Sequence, residues 1–206
     1  MQKLFESICQ KFGNQEKCEA AFAKLVARYL VPERFYHTFL GHISACLREL
    51  EVVPIGLFRD KYALAIALFF HDVVMDFSRS DNEERSAEFS VQLCREMGMP
   101  LRFRREVARL ILDTKHDAAP EGIDSQLIID IDLSILGQTV EIFDDYEKNI
   151  RREYAFVPEN IFVSRRAEIL KCFLDRPSIF WTEYFQGKYE EQARRNLTRS
   201  IAKLDL

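Results

Sequence analysis

Glycine and proline are scarce in this sequence. The chain has 7 glycines and 6 prolines among 206 residues, which is about half of the roughly 12% that an average protein contains. A sandwich or barrel of many short strands needs frequent turns, and these two residues are the usual turn formers. Their scarcity argues against such folds and favours long helices.

Cysteine pairs, long apolar runs and an excess of one charge are also missing. The 5 cysteines include no C-x-x-C pair, so we expect neither a disulfide framework nor a zinc ribbon, as in a reducing cytosol. The longest purely apolar run, residues 63–70, is far shorter than the roughly 20 residues of a membrane span. A net charge of −4 gives no general attraction to nucleic acid or anionic lipid. Because the N-terminus also lacks a signal-peptide core, we expect a soluble cytoplasmic protein without a nucleic-acid polymer or a membrane as partner.

Apolar residues recur at helical spacing along almost the whole chain. Leu4, Ile8 and Phe12 form a first stripe. Residues 61–75 are apolar on nearly all sides, which is typical of a central helix. Residues 33–50 are expected to form one helix that carries His42 on its buried side. Further helices are predicted over 83–97, 102–114, 125–136, 139–154, 161–174 and 178–203.

The helical pattern predicts an all-α protein. Hydrophobic residues make up 48% and charged residues 30% of the sequence, which supports a sizeable core. No repeat and no linker rich in Gly, Ser or Pro divides the chain. We therefore expect a single-domain helical bundle over residues 1–206, with its core motifs in about 25–155 and C-terminal helices over 160–203 packed on it.

Histidines are few, and one of them is followed directly by an aspartate. The four are His37, His42, His71 and His116. The pair His71-Asp72 ends the most apolar part of the chain, where a buried His-Asp pair costs several kcal/mol unless a partner such as a divalent cation satisfies it. The alternative is a histidine that interacts with the helix dipole, with Asp72 in a turn.

Two further carboxylates, Asp130 and Asp132, lie in the otherwise apolar stretch IDIDLSILG. Carboxylates are costly in such surroundings unless they are paired or bound to a metal. The alternative is that both occupy the exposed positions of an amphipathic segment. Which of the two would be a ligand stays open.

The order His42, His71-Asp72 and Asp132 resembles the H…HD…D signature of the HD superfamily of metal-dependent phosphohydrolases. More narrowly, the chain is similar to an uncharacterised bacterial group of HD-domain proteins. The resemblance extends from about residue 25 to the C-terminus. The segments that carry it are 29–42, 67–76, 81–87, 130–137, 150–154, 166–170 and 193–197.

The resemblance implies a site and a function. By it, His42, His71, Asp72 and Asp132 are metal ligands within a helical bundle. The implied cofactor is a divalent cation, and mixed nitrogen and oxygen ligands suit Mn, Co, Ni, Zn, Fe or Mg. The implied reaction is hydrolysis of a phosphate ester of a nucleotide or nucleotide-like small molecule by a metal-activated water, which Asp72 could orient. A homo-oligomer is compatible with this expectation.

Six other residues are candidates for roles around such a metal. Asp76 would share a helix face with Asp72 if that helix continued. The candidates for proton transfer or for supporting the metal are Asp76, Glu83 and His116. The candidates for binding substrate phosphates are Arg34, Lys115 and Arg151. Helix capping, loop exposure and surface ion pairs are the alternative explanations for these residues.

Two other functions remain as alternatives. A non-catalytic sensor of metal and nucleotide would be expected to lack ligands, yet all four are present. A di-iron oxygenase would need nearly every histidine, and on a continuous helix His37 and His42 lie 140° apart. We therefore expect His37 to point away from the metal. Because no cysteine sits in a recognisable pairing with histidine and no G-x-S-x-G motif is present, covalent catalysis is not expected.

Overall fold

Helices make up all the regular structure in the computed structural model of the protein, which describes residues 1–11 and 15–204. Helix accounts for 71% of the structure, and the described residues contain no strand. The predicted all-α class is therefore confirmed. Phe12, which we expected to continue the stripe of Leu4 and Ile8, lies outside the described residues.

The contacts within the chain divide it into two compact units, Met1–Ile128 and a second unit that begins at Ile129. The expected single domain stays a prediction. The first unit contains α1 (Gln2–Gln10), α2 (Gln15–Tyr29), a π-helical turn (Phe39–Ile43), α3 (Ser44–Val52), α4 (Lys61–Phe70), α5 (Asn82–Glu96) and α6 (Leu101–Asp113). The division falls within α7 (Ile123–Asp132). The second unit continues with a 3-10 helix (Leu133–Gly137), α8 (Val140–Glu153), α9 (Glu159–Leu174) and α10 (Glu183–Leu204).

Helix α4 is the centre of the first unit. All its residues from 63 to 70 are buried, and it packs against α3, α5 and α6. The Asp60 carboxylate caps its first turn by accepting from the backbone N–H of Tyr62 and Ala63. Asp124 accepts in turn from the backbone N–H of Arg59 and Asp60. The start of α4 is thus held by two carboxylates. Because the helix is a rigid element, the position of its start also fixes the position of its C-terminal end.

The segment expected to be one helix over 33–50 is broken. Thr38 has extended backbone (φ −103°, ψ 156°), and its hydroxyl accepts from the backbone N–H of Gly41. A threonine hydroxyl used in this way begins a helix instead of continuing one. Regular structure therefore starts only with the π-helical turn at Phe39, and α3 follows it. The prediction of a single helix over 33–50 was therefore wrong for its first part, because residues 33–38 are not helical.

Aromatic rings join the first two helices to the segments that carry His42 and His71. Phe5 on α1 contacts Phe69 on α4, with ring centroids 5.3 Å apart. Phe22 on α2 contacts Phe39, the first residue of the π-helical turn, at 5.8 Å, and Phe39 stacks on Phe69 at 6.2 Å. Such pairs contribute beyond the area that they bury. The cluster therefore fixes the π-helical turn against the end of α4.

Cys9 on α1 and Cys18 on α2 form a disulfide. Both residues are buried, and the bond links the two helices at the N-terminal end of the chain. The expectation that the cysteines form no disulfide was wrong, because an odd total does not prevent one pair from forming. The cytoplasmic location, which was inferred in part from that expectation, stays a prediction.

Buried polar side chains organise the second unit. Asn196 on α10 donates to the backbone carbonyls of Leu136 and Gln138 at 2.8 and 2.9 Å, which holds the 3-10 helix against α10. Arg166 pairs with Glu147 and thereby connects α9 with α8. The helices predicted after residue 80 agree with the structure to within two residues except at two ends. The predicted 125–136 helix becomes 3-10 from Leu133, and α10 begins at Glu183 instead of at 178.

Among residues 1–11 and 15–204, no helix combines the length and the apolar character that a membrane crossing requires.

The close approach of Gly137 to Tyr189 on α10 generates a prediction. A Cβ atom at Gly137 would lie 2.8 Å from Cγ of Tyr189, so Gly137→Ala should lower the free energy of unfolding by about 1–3 kcal/mol. The control is Gly187→Ala on α10, where an added Cβ meets nothing within 4 Å, and it should raise stability by about 0.5–1 kcal/mol. Urea denaturation measures both. Equal stability of the two variants would contradict the packing described.

Candidate metal centre

Four side chains of the first unit converge at the C-terminal end of α4. They are His42 on the π-helical turn, Cys46 on α3, and His71 and Asp72 directly after α4. The Nε2 atoms of His42 and His71 are 3.0 Å apart. Oδ2 of Asp72 lies 3.3 Å from the first and 3.2 Å from the second. Sγ of Cys46 lies 3.8 Å from Nε2 of His42. We refer to these four residues as the His-Cys-His-Asp cluster.

The cluster lies inside the first unit. His42, Cys46 and His71 are buried, with exposed fractions of 4, 1 and 2%, and each offers a ligand atom within 4.8 Å of the others. The Asp72 side chain is 14% exposed. The residues reach this position because α4 is apolar on every face and ends where these polar groups begin. The cluster therefore combines strong burial with one partly open side at Asp72.

The orientation of His71 is set by its other ring nitrogen. Nδ1 lies 3.0 Å from the carbonyl oxygen of Leu68, which can only accept a hydrogen bond, so Nδ1 carries a proton. In the neutral ring Nε2 then presents a lone pair to His42 and Asp72. A second nitrogen bonded to a backbone carbonyl is the usual arrangement of a metal-binding histidine.

Asp72 adds a carboxylate oxygen to the same place. Its Oδ2 is fully buried and accepts no hydrogen bond of good geometry from the described residues. Burial alone would raise the pKa of Asp72, but the imidazoles of His71, His37 and His42 outweigh burial and hold that pKa well below its ordinary value. The oxygen is therefore an ionised acceptor next to ring nitrogens. Such a group requires positive charge beside it, from protons or from a cation.

The distances within the cluster fit a metal ion. Ordinary zinc–nitrogen, zinc–oxygen and zinc–sulfur bonds in a tetrahedron give ligand-to-ligand distances of about 3.4 Å for nitrogen and oxygen pairs and about 3.6 Å for nitrogen and sulfur. The distance of 3.0 Å between the two nitrogens, the nitrogen–oxygen distances of 3.2 and 3.3 Å, and the distance of 3.8 Å from Nε2 of His42 to the sulfur are close to these values. Two imidazole nitrogens and the Asp72 carboxylate, with the Cys46 sulfur beside His42, therefore form a group that could hold a metal ion.

Arg34 holds the backbone around this cluster. Its Nη1 donates to the carbonyls of His37 and Asp72 at 3.0 and 2.7 Å, and its Nη2 donates to the carbonyl of Val73 at 3.2 Å. The guanidinium also lies over the Tyr29 ring at 4.7 Å. Arg34 is thus a clamp between two segments of chain. Its expected binding of substrate phosphate stays a prediction.

His37 lies beside the cluster instead of pointing away from it. Its ring is 5.7 Å from the ring of His42 and 4.8 Å from that of Tyr36. The 140° separation assumed a continuous helix, whereas residues 33–38 are not helical. The prediction that His37 points away was therefore wrong. The 140° separation also no longer counts against a site that uses more histidines.

Three other predicted residues belong to the first unit. Glu83 is half-buried in the first turn of α5, and burial raises its pKa. Lys115 pairs with Glu84 and lies 3.5 Å from Asp117. His116 follows α6 and has left-handed backbone with φ 61°. The catalytic and phosphate-binding roles expected for these residues stay predictions.

Asp76 does not share a helix face with Asp72. Helix α4 ends at Phe70, so the spacing of four residues places Asp76 in an exposed turn. There it accepts from the N–H and hydroxyl of Ser78, and these hydrogen bonds hold its pKa below the ordinary value. The reason given for its expected role was therefore wrong.

The remaining predicted residues belong to the second unit. Asp130 is fully buried, and both its oxygens accept hydrogen bonds, from the N–H of Trp181 and from the N–H and hydroxyl of Thr182. Burial raises its pKa to about 6. The alternative that it is an exposed residue is therefore wrong. Asp132 is half-buried at the end of α7, and its expected role as a ligand stays a prediction.

Arg151 is held by its own neighbourhood in the second unit. It donates to the carboxylate of Glu159 at 2.8 Å and to the backbone carbonyls of Tyr154 and Val157 at 2.7 and 3.1 Å. These contacts connect the end of α8 with the start of α9. Phosphate binding by Arg151 stays a prediction.

Cys46 is the member of the cluster that sequence reasoning missed. We expected no cysteine in a pairing with histidine, yet Cys46 Sγ lies 3.7 Å from Nδ1 of His42. The signal was present, since residues four apart lie on the same face of a helix. It was overlooked because cysteine was considered only in C-x-x-C pairs and as a nucleophile.

Comparisons with protein-family models, with curated proteins and with solved structures found no match to this chain.

The Arg34 clamp generates a second prediction. Arg34→Met keeps an apolar stem over Tyr29 but removes the bonds to three carbonyls, so it should lower the free energy of unfolding by at least about 1.5–3 kcal/mol. The control is Arg48→Met on α3, because exposed Arg48 bonds, among the residues that the structure describes, to the nearby Ser44 hydroxyl alone, and its loss should change stability by less than about 0.5 kcal/mol. Urea denaturation compares the two variants. Equal losses of unfolding free energy in the two variants would show that the bonds of Arg34 to the three carbonyls do not stabilise the protein.

Proposed function

We propose that this protein is a metal-dependent phosphohydrolase. The observation that carries the proposal is the convergence of two imidazole nitrogens and a carboxylate oxygen, 3.0 to 3.3 Å apart, at the end of a buried helix. The resemblance of His42 and His71-Asp72 to the HD pattern supports the same interpretation. Members of that superfamily use such ligands for hydrolysis of phosphate esters.

The proposed roles follow from the chemistry of each side chain. When bound, a divalent cation polarises a phosphoryl oxygen and lowers the pKa of a coordinated water. His42 and His71 would hold the cation through Nε2. The Asp72 carboxylate, the partly exposed member of the cluster, would both bind it and orient the attacking water. Glu83, whose pKa burial raises, is the candidate proton carrier.

The proposed substrate is a phosphate ester of a nucleotide or nucleotide-like small molecule. The resemblance to the HD superfamily is the support for this substrate class. Within the first unit, Lys115 and His116 are the candidates for contacting phosphate and for protonating the leaving group. Asp132 and Arg151 belong to the second unit, and their expected roles as a metal ligand and a phosphate contact stay predictions.

One observation favours a second candidate function, a non-catalytic metal-binding protein. Two histidines, one cysteine and one aspartate are enough to close a tetrahedral shell, and closed shells are typical of structural sites. The same four ligands leave positions open on an ion of higher coordination number. Addition of azide to the Co²⁺-loaded protein distinguishes the two, because only an open position allows azide to change the visible spectrum of the cobalt ion.

The proposal predicts hydrolysis that needs both a divalent cation and His42. A phosphate-release screen over nucleotides and sugar phosphates should give activity that a chelator abolishes. His42→Ala should lose metal and activity by more than the 10- to 100-fold that loss of an outer-shell partner costs. His37→Ala is the matched control, because this neighbouring histidine is outside the His-Cys-His-Asp cluster and should keep metal at near-normal occupancy.

Metal content per chain and circular dichroism accompany these assays. Full activity in excess chelator, with metal shown to be absent, would contradict the proposed mechanism. If His37→Ala lost the metal while His42→Ala kept it, the ligand assignment would be wrong.

A further inference from the structure

Cys46 differs from the other buried thiol of the first unit. Cys94 on α5 has an exposed fraction of 0%, and burial raises its pKa to about 12, so it is an inert thiol at neutral pH. Cys46 is equally buried at 1%, but its sulfur lies 3.7 and 3.8 Å from the two nitrogens of His42. It also lies within 4.8 Å of a ligand atom of His71. Only Cys46 of these two therefore faces candidate metal ligands.

The charge of the cluster also assigns a role to this sulfur. Among the four side chains of the cluster, two neutral imidazoles and the Asp72 carboxylate leave one positive charge of a divalent cation uncompensated. A thiolate from Cys46 brings the sum over these four side chains to zero, and charge balance matters most in a buried site. Metal binding itself removes the thiol proton, because a coordinated sulfur is a thiolate.

We infer that the Cys46 thiolate is a ligand of the metal centre and makes the site select a thiophilic divalent cation, such as Zn²⁺, Co²⁺ or Fe²⁺, over Mg²⁺ or Ca²⁺. Thiolate and imidazole ligands favour the first group, whereas carboxylate and water favour the second. This inference rests on the metal centre of the proposed function and narrows the choice of cation there. The resemblance to the HD pattern contains no such cysteine.

The test is spectroscopic and does not use activity. The purified protein is stripped of metal and loaded with one equivalent of Co²⁺. A Cys46 ligand should produce a sulfur-to-cobalt charge-transfer band in the near ultraviolet. The band should disappear in Cys46→Ser and persist in Cys94→Ser and in Cys172→Ser, which test the buried inert thiol and the exposed free thiol.

Two further measurements support the assignment. Competition titrations should show that Cys46→Ser weakens Zn²⁺ binding by more than the 10- to 100-fold cost of losing an outer-shell partner, with little change for Mg²⁺. X-ray absorption of the wild-type Zn²⁺ protein should show a sulfur neighbour at about 2.3 Å. That measurement needs no variant, so it holds even if Cys46→Ser does not fold.

The outcomes separate this inference from the proposed function. Stoichiometric Co²⁺ and Zn²⁺ binding without a sulfur ligand would overturn the role of Cys46 and leave the metal-dependent hydrolase standing. A sulfur signal that persists in Cys46→Ser and disappears in Cys172→Ser would also overturn it. Failure of the wild-type protein to bind either ion would overturn the metal centre, and both proposals would fall with it.

Discussion

The structure depends most on the electrostatic constraint at the end of α4. There, His71 presents a ring nitrogen to the Nε2 atom of His42 and to an ionised oxygen of Asp72, all within 3.3 Å. A buried, ionised oxygen beside ring nitrogens requires positive charge next to it, from protons or from a cation. An apolar helix that ends in such a group would be a poor solution for stability alone. A rigid helix with polar groups at its end is the support that the proposed metal site would require.

Two separate sets of contacts hold the elements that carry this site. Asp60 and Asp124 fix the beginning of α4, so its far end is positioned by a short and fully buried helix. The aromatic cluster around Phe39 and Phe69 sets the π-helical turn against the same end. The backbone positions of His42 and His71 are therefore set by packing between other side chains, which is the condition for a preorganised site.

Much of the fold could be predicted from the sequence, because most helices are amphipathic and end near glycine or proline. The central helix was predicted from its apolar faces, but its end at Phe70 was placed five residues too late, since the apolar pattern continues through Val73 and Val74 after the backbone has turned. The break at Thr38 was missed because it depends on one hydroxyl that bonds to Gly41. The disulfide between Cys9 and Cys18 depends on how two helices meet, which spacing alone does not encode.

Part of the candidate site was also predicted from the sequence. The order of residues along the chain was enough to group His42 with His71 and Asp72. A match to a sequence signature does not require knowledge of how the backbone runs between the matched residues. Asp76 and His37 were misjudged because their positions were derived from helices that do not extend that far. Cys46 was missed although its spacing from His42 was visible in the sequence.

The way in which Arg34 binds its partners has an evolutionary consequence. Its guanidinium bonds to the carbonyl oxygens of His37, Asp72 and Val73, and every amino acid provides a carbonyl oxygen. Substitutions at positions 37 and 73 can therefore accumulate without removing an acceptor, whereas no other side chain at position 34 offers the same planar set of donors. Positions 37 and 73 beside the cluster can therefore vary among descendants of this sequence while position 34 stays an arginine.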